Sequence, residues 1–186
     1  MRIVIGLTGA SGSIYAYSLI RLLNKKGVEL SIVMTQMGEK VMNFECGIER
    51  REIAKYGTVY ENSDLFAPIA SGSYQVDGMV VVPCSMNTLG QVANGMGDTL
   101  LARSASVALK ENKKLIMFER ETPYSLIALE NMCKLANAGG MIMPASPGFY
   151  YKPTQIWELI DSITYRILDQ LGVDAQEAVR WQEPLI

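Results

Sequence analysis

The chain has 186 residues, 49% of them hydrophobic and 19% charged, with a net charge of −2. That is enough apolar material for one well-filled domain, and it offers no basic footprint for nucleic acid and no apolar run near the ~18 residues needed to cross a bilayer. Histidine is absent, which excludes Ser-His and Cys-His nucleophiles, a histidine general base and an ordinary zinc site.

The first element is an apolar strand over Ile3–Leu7. It runs into Gly-Leu-Thr-Gly-Ala-Ser-Gly-Ser at residues 6–13. The spacing is neither G-x-G-x-x-G nor a Walker loop. A strand, a small-residue turn and a helix in succession form an anion site suited to a mononucleotide phosphate, with Thr8 and Ser11 as hydroxyls. A tight turn with a serine cap reads equally well from these residues. Ile14–Lys26 has the spacing of a helix that stops at Gly27, Leu30–Met34 is a second strand, and a short helix is expected from about Gly38 to Cys46.

Residues 50–75 show little periodicity. Asp77–Val82 is almost wholly apolar, as expected of a strand buried on both faces of a parallel sheet. Helices are expected over 86–95 and 98–111, a strand over Lys114–Phe118, a helix over Tyr124–Asn137, a short strand over Met141–Met143 and a last helix from about Thr154 to Leu171. The alternation predicts an α/β fold: a single domain over 1–186 with a doubly wound, mostly parallel sheet of Rossmann-like or flavodoxin-like kind. Residues 172–186 are expected to form a tail close to the site. The cysteines, Cys46, Cys84 and Cys133, form no C-x-x-C pair. With no leader segment read ahead of the first strand, a reducing cytoplasm is expected.

Ligands of such sheets bind beyond the carboxyl ends of the strands. Five successive strand ends carry polar groups here: Thr8–Gly12, Thr35, Pro83–Thr88, Glu119–Pro123 and Pro144–Pro153.

Thr8-Gly-Ala-Ser-Gly12, Ala70-Ser-Gly-Ser73, Pro83-Cys-Ser85, Val107-Ala-Leu-Lys-Glu111, Arg120-Glu-Thr-Pro123, Leu129-Glu-Asn-Met132, Pro147-Gly-Phe-Tyr150 and Arg180-Trp181 together resemble the UbiX-type flavin prenyltransferases. The resemblance runs in order through nearly the whole chain. It implies a metal-independent transfer of a dimethylallyl group from dimethylallyl phosphate to N5 and C6 of reduced FMN. It also implies a homo-oligomer, a dodecamer in the family, and delivery of prenylated FMN to a UbiD-type decarboxylase. FMN is then expected on Gly9, Ala10, Ser11, Thr35, Ser85, Met86, Asn87, Thr88 and Arg120. The phosphate donor is expected on Arg103, Lys110, Arg120, Tyr150 and Arg166, with Trp181 adding an aromatic wall. Glu45 and Ser11 are the implied proton-handling pair, and Lys110 and Glu121 the further catalytic groups, Glu121 orienting its basic neighbours.

In a histidine-free site, burial that raises the Glu45 pKa toward neutrality is the expected route to an acid/base group. Relatives usually have His where Ala128 stands, a residue not carried over as essential. The cysteine-decarboxylase branch depends on a histidine that this chain lacks. An FMN carrier without chemistry and a stand-alone flavin-dependent decarboxylase are the alternatives.

Overall fold

A computed structural model describes residues 1–181. Six parallel strands form one sheet in the order β3-β2-β1-β4-β5-β6. The strands are β1 (Arg2–Leu7), β2 (Glu29–Met34), β3 (Thr58–Glu61), β4 (Gly78–Cys84), β5 (Lys114–Glu119) and β6 (Met141–Pro144). The helices are α1 (Ser13–Lys25), α2 (Gln36–Cys46), α3 (Arg50–Ile53), α4 (Met86–Ala93), α5 (Leu100–Lys110), α6 (Leu126–Asn137) and α7 (Ile156–Leu171). The order 3-2-1-4-5-6 reverses between β1 and β4, so the crevice at their carboxyl ends is the topological switch point.

Alternation along the strands divides the core in two. Ile3, Ile5, Leu7, Val80, Val82, Ile116 and Phe118 face one side, where they meet Leu19, Ile20 and Leu23 of α1 and Ile167 and Leu168 of α7. Val4, Met79, Val81, Leu115 and Met117 face the other, against Leu89 of α4, Leu101 and Ala105 of α5 and Leu135 of α6.

The expected elements are present with ends displaced by a few residues. The α4 and α6 caps are made by side chains: Ser85 Oγ accepts from Thr88 N–H at 3.3 Å and Ser125 Oγ from Ala128 N–H at 3.2 Å. β3 lies within the stretch without periodicity. It is a four-residue edge strand paired only to β2, and its residues are half-buried or exposed. A four-residue edge strand that covers only Val59 and Tyr60, and these in part, carries no apolar run, so no pattern announced it. None of the described helices is long and apolar enough to cross a membrane.

Candidate active site

Thr8 ends the β1 run and holds the switch point closed. Its hydroxyl donates to Pro83 O at 2.6 Å and accepts from Ser85 N–H at 2.9 Å, and the residue is 1% exposed. Thr8 therefore ties β1 to β4, and its hydroxyl is not the phosphate ligand expected from the turn. Gly9 is needed for close packing: a Cβ there would stand 2.6 Å from Met37 Cβ on α2. Gly12 turns the chain into α1 with φ +102°, in the left-handed region.

The N-terminus of α1 already holds an anion. Glu45, at the end of α2, reaches back so that Oε2 accepts from Gly12 N–H at 2.9 Å and Ser13 N–H at 3.0 Å. Partial burial pushes its carboxyl up. Hydrogen bonds from the Ser11 hydroxyl and the two N–H groups, with the charge of Arg120, outweigh that and leave it below the usual carboxylate value. Glu45 is thus held ionised, contrary to the expectation of a pKa raised toward neutrality. Oriented donors on the charged form win over desolvation at this half-open position. The same contacts occupy the Gly12 and Ser13 N–H groups, at the end of the turn at which an FMN phosphate was expected.

Arg120 joins this cluster from the end of β5, its Nε donating to Ser11 O at 3.2 Å. Glu121 follows Arg120, its Oε1 accepting from Thr122 N–H at 3.1 Å. At the same end of the sheet, the N-termini of α2 and α4 converge on a cavity of about 280 Å³ lined by Thr35, Met37, Asn87, Thr88 and Gln91 among others. Thr35 Oγ1 caps α2 by accepting from Gly38 N–H at 2.9 Å, which leaves its own proton free to donate. Ser85 and Thr88 hydroxyls lie 3.1 Å apart.

The remaining expected residues lie in two other groups. Arg103 and Lys110 are on α5, where Arg103 Nε donates to Ala70 O at 3.1 Å and Lys110 Nζ pairs with Glu111 at 2.9 Å. Lys110 ends α5 four residues before β5 begins, so it stands at the amino ends of the strands, across the sheet from Arg120. Tyr150, Arg166 and Trp181 belong to the α7 side. Tyr150 OH donates to Val179 O at 3.1 Å, its ring meets Trp181 edge-on at 5.4 Å, and Arg166 pairs with Asp169 at 3.1 Å. Arg180 holds the same Asp169 at 2.9 Å and Glu177 pairs with Lys26, so the tail to residue 181 lies along α7 and the end of α1. Residues 182–186 of the expected tail are outside the described residues.

Glu119 was not singled out among the site residues. It is 1% exposed, and burial alone pushes its pKa up to about 7. The signal was present, since a carboxylate ended an apolar strand, but burial at a strand end is invisible before the helices are placed. A folded pKa above the ordinary value of 4.5 means that stability is highest below 4.5 and is lost as pH rises through 7. The loss is roughly 3 kcal/mol over the whole window and about 2 kcal/mol between roughly pH 5.5 and 8. Urea denaturation at the two pH values should show that extra loss for the wild type relative to Glu119→Gln. Equal pH dependence of the two proteins would contradict the assignment.

The chain matches the family model described as Flavoprotein over residues 1–167. It is 44% identical over 182 residues to a protein of Methanocaldococcus jannaschii named flavin prenyltransferase UbiX, covering 97% of this chain and 98% of that one. Among solved structures it is similar to AnUbiX (PadA1) in complex with FMN and dimethylallyl pyrophosphate. There the TM-score is 0.96 at 37% identity, over 99% of this chain and 98% of the other. It is also similar to a dodecameric FMN-dependent UbiX-like decarboxylase from Escherichia coli O157:H7, with TM-score 0.95 and 36% identity, over 98% and 100% of the two chains.

Proposed function

The chain belongs to the flavoprotein family, among the flavin prenyltransferases, and from that we propose that it transfers a dimethylallyl group from dimethylallyl phosphate to reduced FMN. The observation that carries the reading is the cluster of Ser11, Glu45 and Arg120 at the switch point, at the same end of the sheet as a cavity between two helix N-termini. The product is prenylated FMN, bonded at N5 and C6, and its consumer is a UbiD-type decarboxylase.

The residues fit FMN. The cavity between α2 and α4 offers a phosphate the free proton of Thr35, the hydroxyl of Thr88, which lies against that of Ser85, and the positive ends of two helices. The phosphate therefore goes there, because Glu45 fills the α1 N-terminus. When bound, reduced FMN supplies the nucleophilic nitrogen and carbon. Arg120, anchored on Ser11 O, offers a fixed positive charge to the departing phosphate of the donor. Glu45, ionised and hydrogen-bonded by the Ser11 hydroxyl, is poised to take up the proton that ring closure at C6 releases.

Lys110 and Arg103, and Tyr150, Arg166 and Trp181, serve the same donor from neighbouring copies. Two observations support an oligomer, a dodecamer as in the E. coli relative. Lys110 of α5 stands at the amino ends of the strands, away from Arg120, and large apolar side chains lie open, with Phe66 100%, Phe44 90% and Ile127 71% exposed. Neighbours that cover this surface also keep water from an allylic cation.

Anaerobic incubation of the protein with reduced FMN and dimethylallyl phosphate, followed by mass spectrometry of the flavin, tests the activity. A flavin heavier by one isoprenoid unit is expected; an unchanged flavin overturns the reading and leaves a carrier. A parallel incubation with the pyrophosphate ester tells which donor is used. For the phosphate cavity, Thr35→Val should weaken FMN about tenfold and leave riboflavin affinity unchanged, since it removes one hydrogen bond to a charged group. Equal losses for both ligands would move the phosphate elsewhere. Gly9→Val is a poorer probe, because the clash with Met37 strains the fold as well.

A further inference from the structure

β5 carries buried apolar side chains from Leu115 to Phe118, and Glu119 follows them inward at 1% exposure. Alternation puts Glu119 on the face of Leu115 and Met117, and its Cα partner across the sheet is Cys84, the residue before Ser85. Its Oε1 is buried without a hydrogen-bond partner among the described residues. An orphaned carboxyl oxygen is costly, and nothing in the core needs it there. Glu119 stands at the carboxyl end of β5, directly before Arg120 in the chain and in register with the residue before Ser85, at the end of the sheet where ligands of this fold bind.

We propose that Glu119 is a further flavin-site residue: its protonated carboxyl donates a hydrogen bond to bound FMN, so that flavin affinity depends on a proton held by the protein. The inference rests on the FMN reading above. Burial raises the Glu119 pKa to about 7, so the protonated form is available near neutrality. The titratable groups whose own values feel Glu119 are the Cys84 thiol on β4 and Tyr124 ahead of α6, both pushed up, first by burial. Arg120 and Glu121 follow it in the chain, Arg120 with its Nε committed to Ser11 O. α4 and β6 contain no titratable side chain, and Glu130, Cys133 and Lys134 of α6 are exposed.

The experiment follows quenching of flavin fluorescence by the full-length protein between about pH 6.5 and 8.5, for FMN and for riboflavin, with circular dichroism confirming the fold at each pH. In the wild type both dissociation constants are expected to rise about tenfold across the range, as the donor proton is lost. In Glu119→Gln, which keeps a neutral donor, both stay flat. In Glu119→Leu, affinity is about tenfold weaker already at the low end. Protein that binds FMN with a flat wild-type profile, or with a slope for FMN and none for riboflavin, overturns the role of Glu119 and leaves the FMN reading standing. Absence of FMN binding at every pH overturns that reading, and this inference with it.

Discussion

Chains carrying Lys110→Ala and chains carrying Arg120→Ala, each inactive alone, are expected to regain activity when co-expressed in one oligomer. Arg120 follows the carboxyl end of β5, while Lys110 ends α5 at the amino ends of the same sheet. A sheet of this kind separates the two ends by the length of its strands, so one chain cannot bring both cations to one donor phosphate. If two copies each supply one residue, random mixing in equal amounts leaves about a quarter of the sites with both cations. Activity near a quarter of the wild type is therefore the expected reading. Activity no higher than the sum of the two single variants would show that the residues do not meet in a shared site. Arg166→Ala, on the α7 side, provides a second complementation partner for Lys110→Ala.

Replacing Glu45 by Gln should slow formation of the prenylated flavin by roughly 10²–10⁴-fold, the usual worth of a positioned proton-transfer group. FMN affinity should change little, because the amide oxygen still accepts from the N–H groups of Gly12 and Ser13. Single-turnover measurement with reduced FMN separates the two effects. An unchanged rate would remove Glu45 from the chemistry, and lost FMN binding would make it a structural residue. Glu45→Ala adds a second effect: the first turn of α1 loses its anion, at a cost of about 1 kcal/mol. The sign of the pH dependence follows from the lowered pKa. Stability from this contact is complete above the ordinary carboxyl value of 4.5 and is lost as pH falls below it. Glu119 has the opposite sign, so the two carboxyls at the site favour opposite directions of pH.

The order of strands and helices was legible because buried parallel strands must be apolar and helices must stop. Ile3–Leu7, Asp77–Val82 and Lys114–Phe118 carried that pattern, and Gly27 ended α1 where the chain had to turn back. The polar strand ends located the crevice for the same reason. Much of the site's content was not legible. Thr8 and Ser11 read alike in the turn, and only the approach of Pro83 and Ser85 assigned Thr8 to tying strands together. The turn read as a phosphate site because its N–H groups looked free. Glu45, more than thirty residues away, claims those of Gly12 and Ser13 through the angle at which α2 returns to α1.

By itself, then, the sequence determined the doubly wound sheet, the place of the crevice, the absence of histidine chemistry and, through its motifs, the resemblance to flavin prenyltransferases. These depend on local periodicity and on residue identity, which the chain carries at every position. The tertiary structure alone decided that the Glu45 carboxyl is pulled below its ordinary value and that of Glu119 pushed above it, that Lys110 lies across the sheet from Arg120, and that a cavity opens between the N-termini of α2 and α4. Each of those depends on distances between segments far apart in the chain. Electrostatic energies vary with distance and burial, and neither exists until the helices have packed against the sheet.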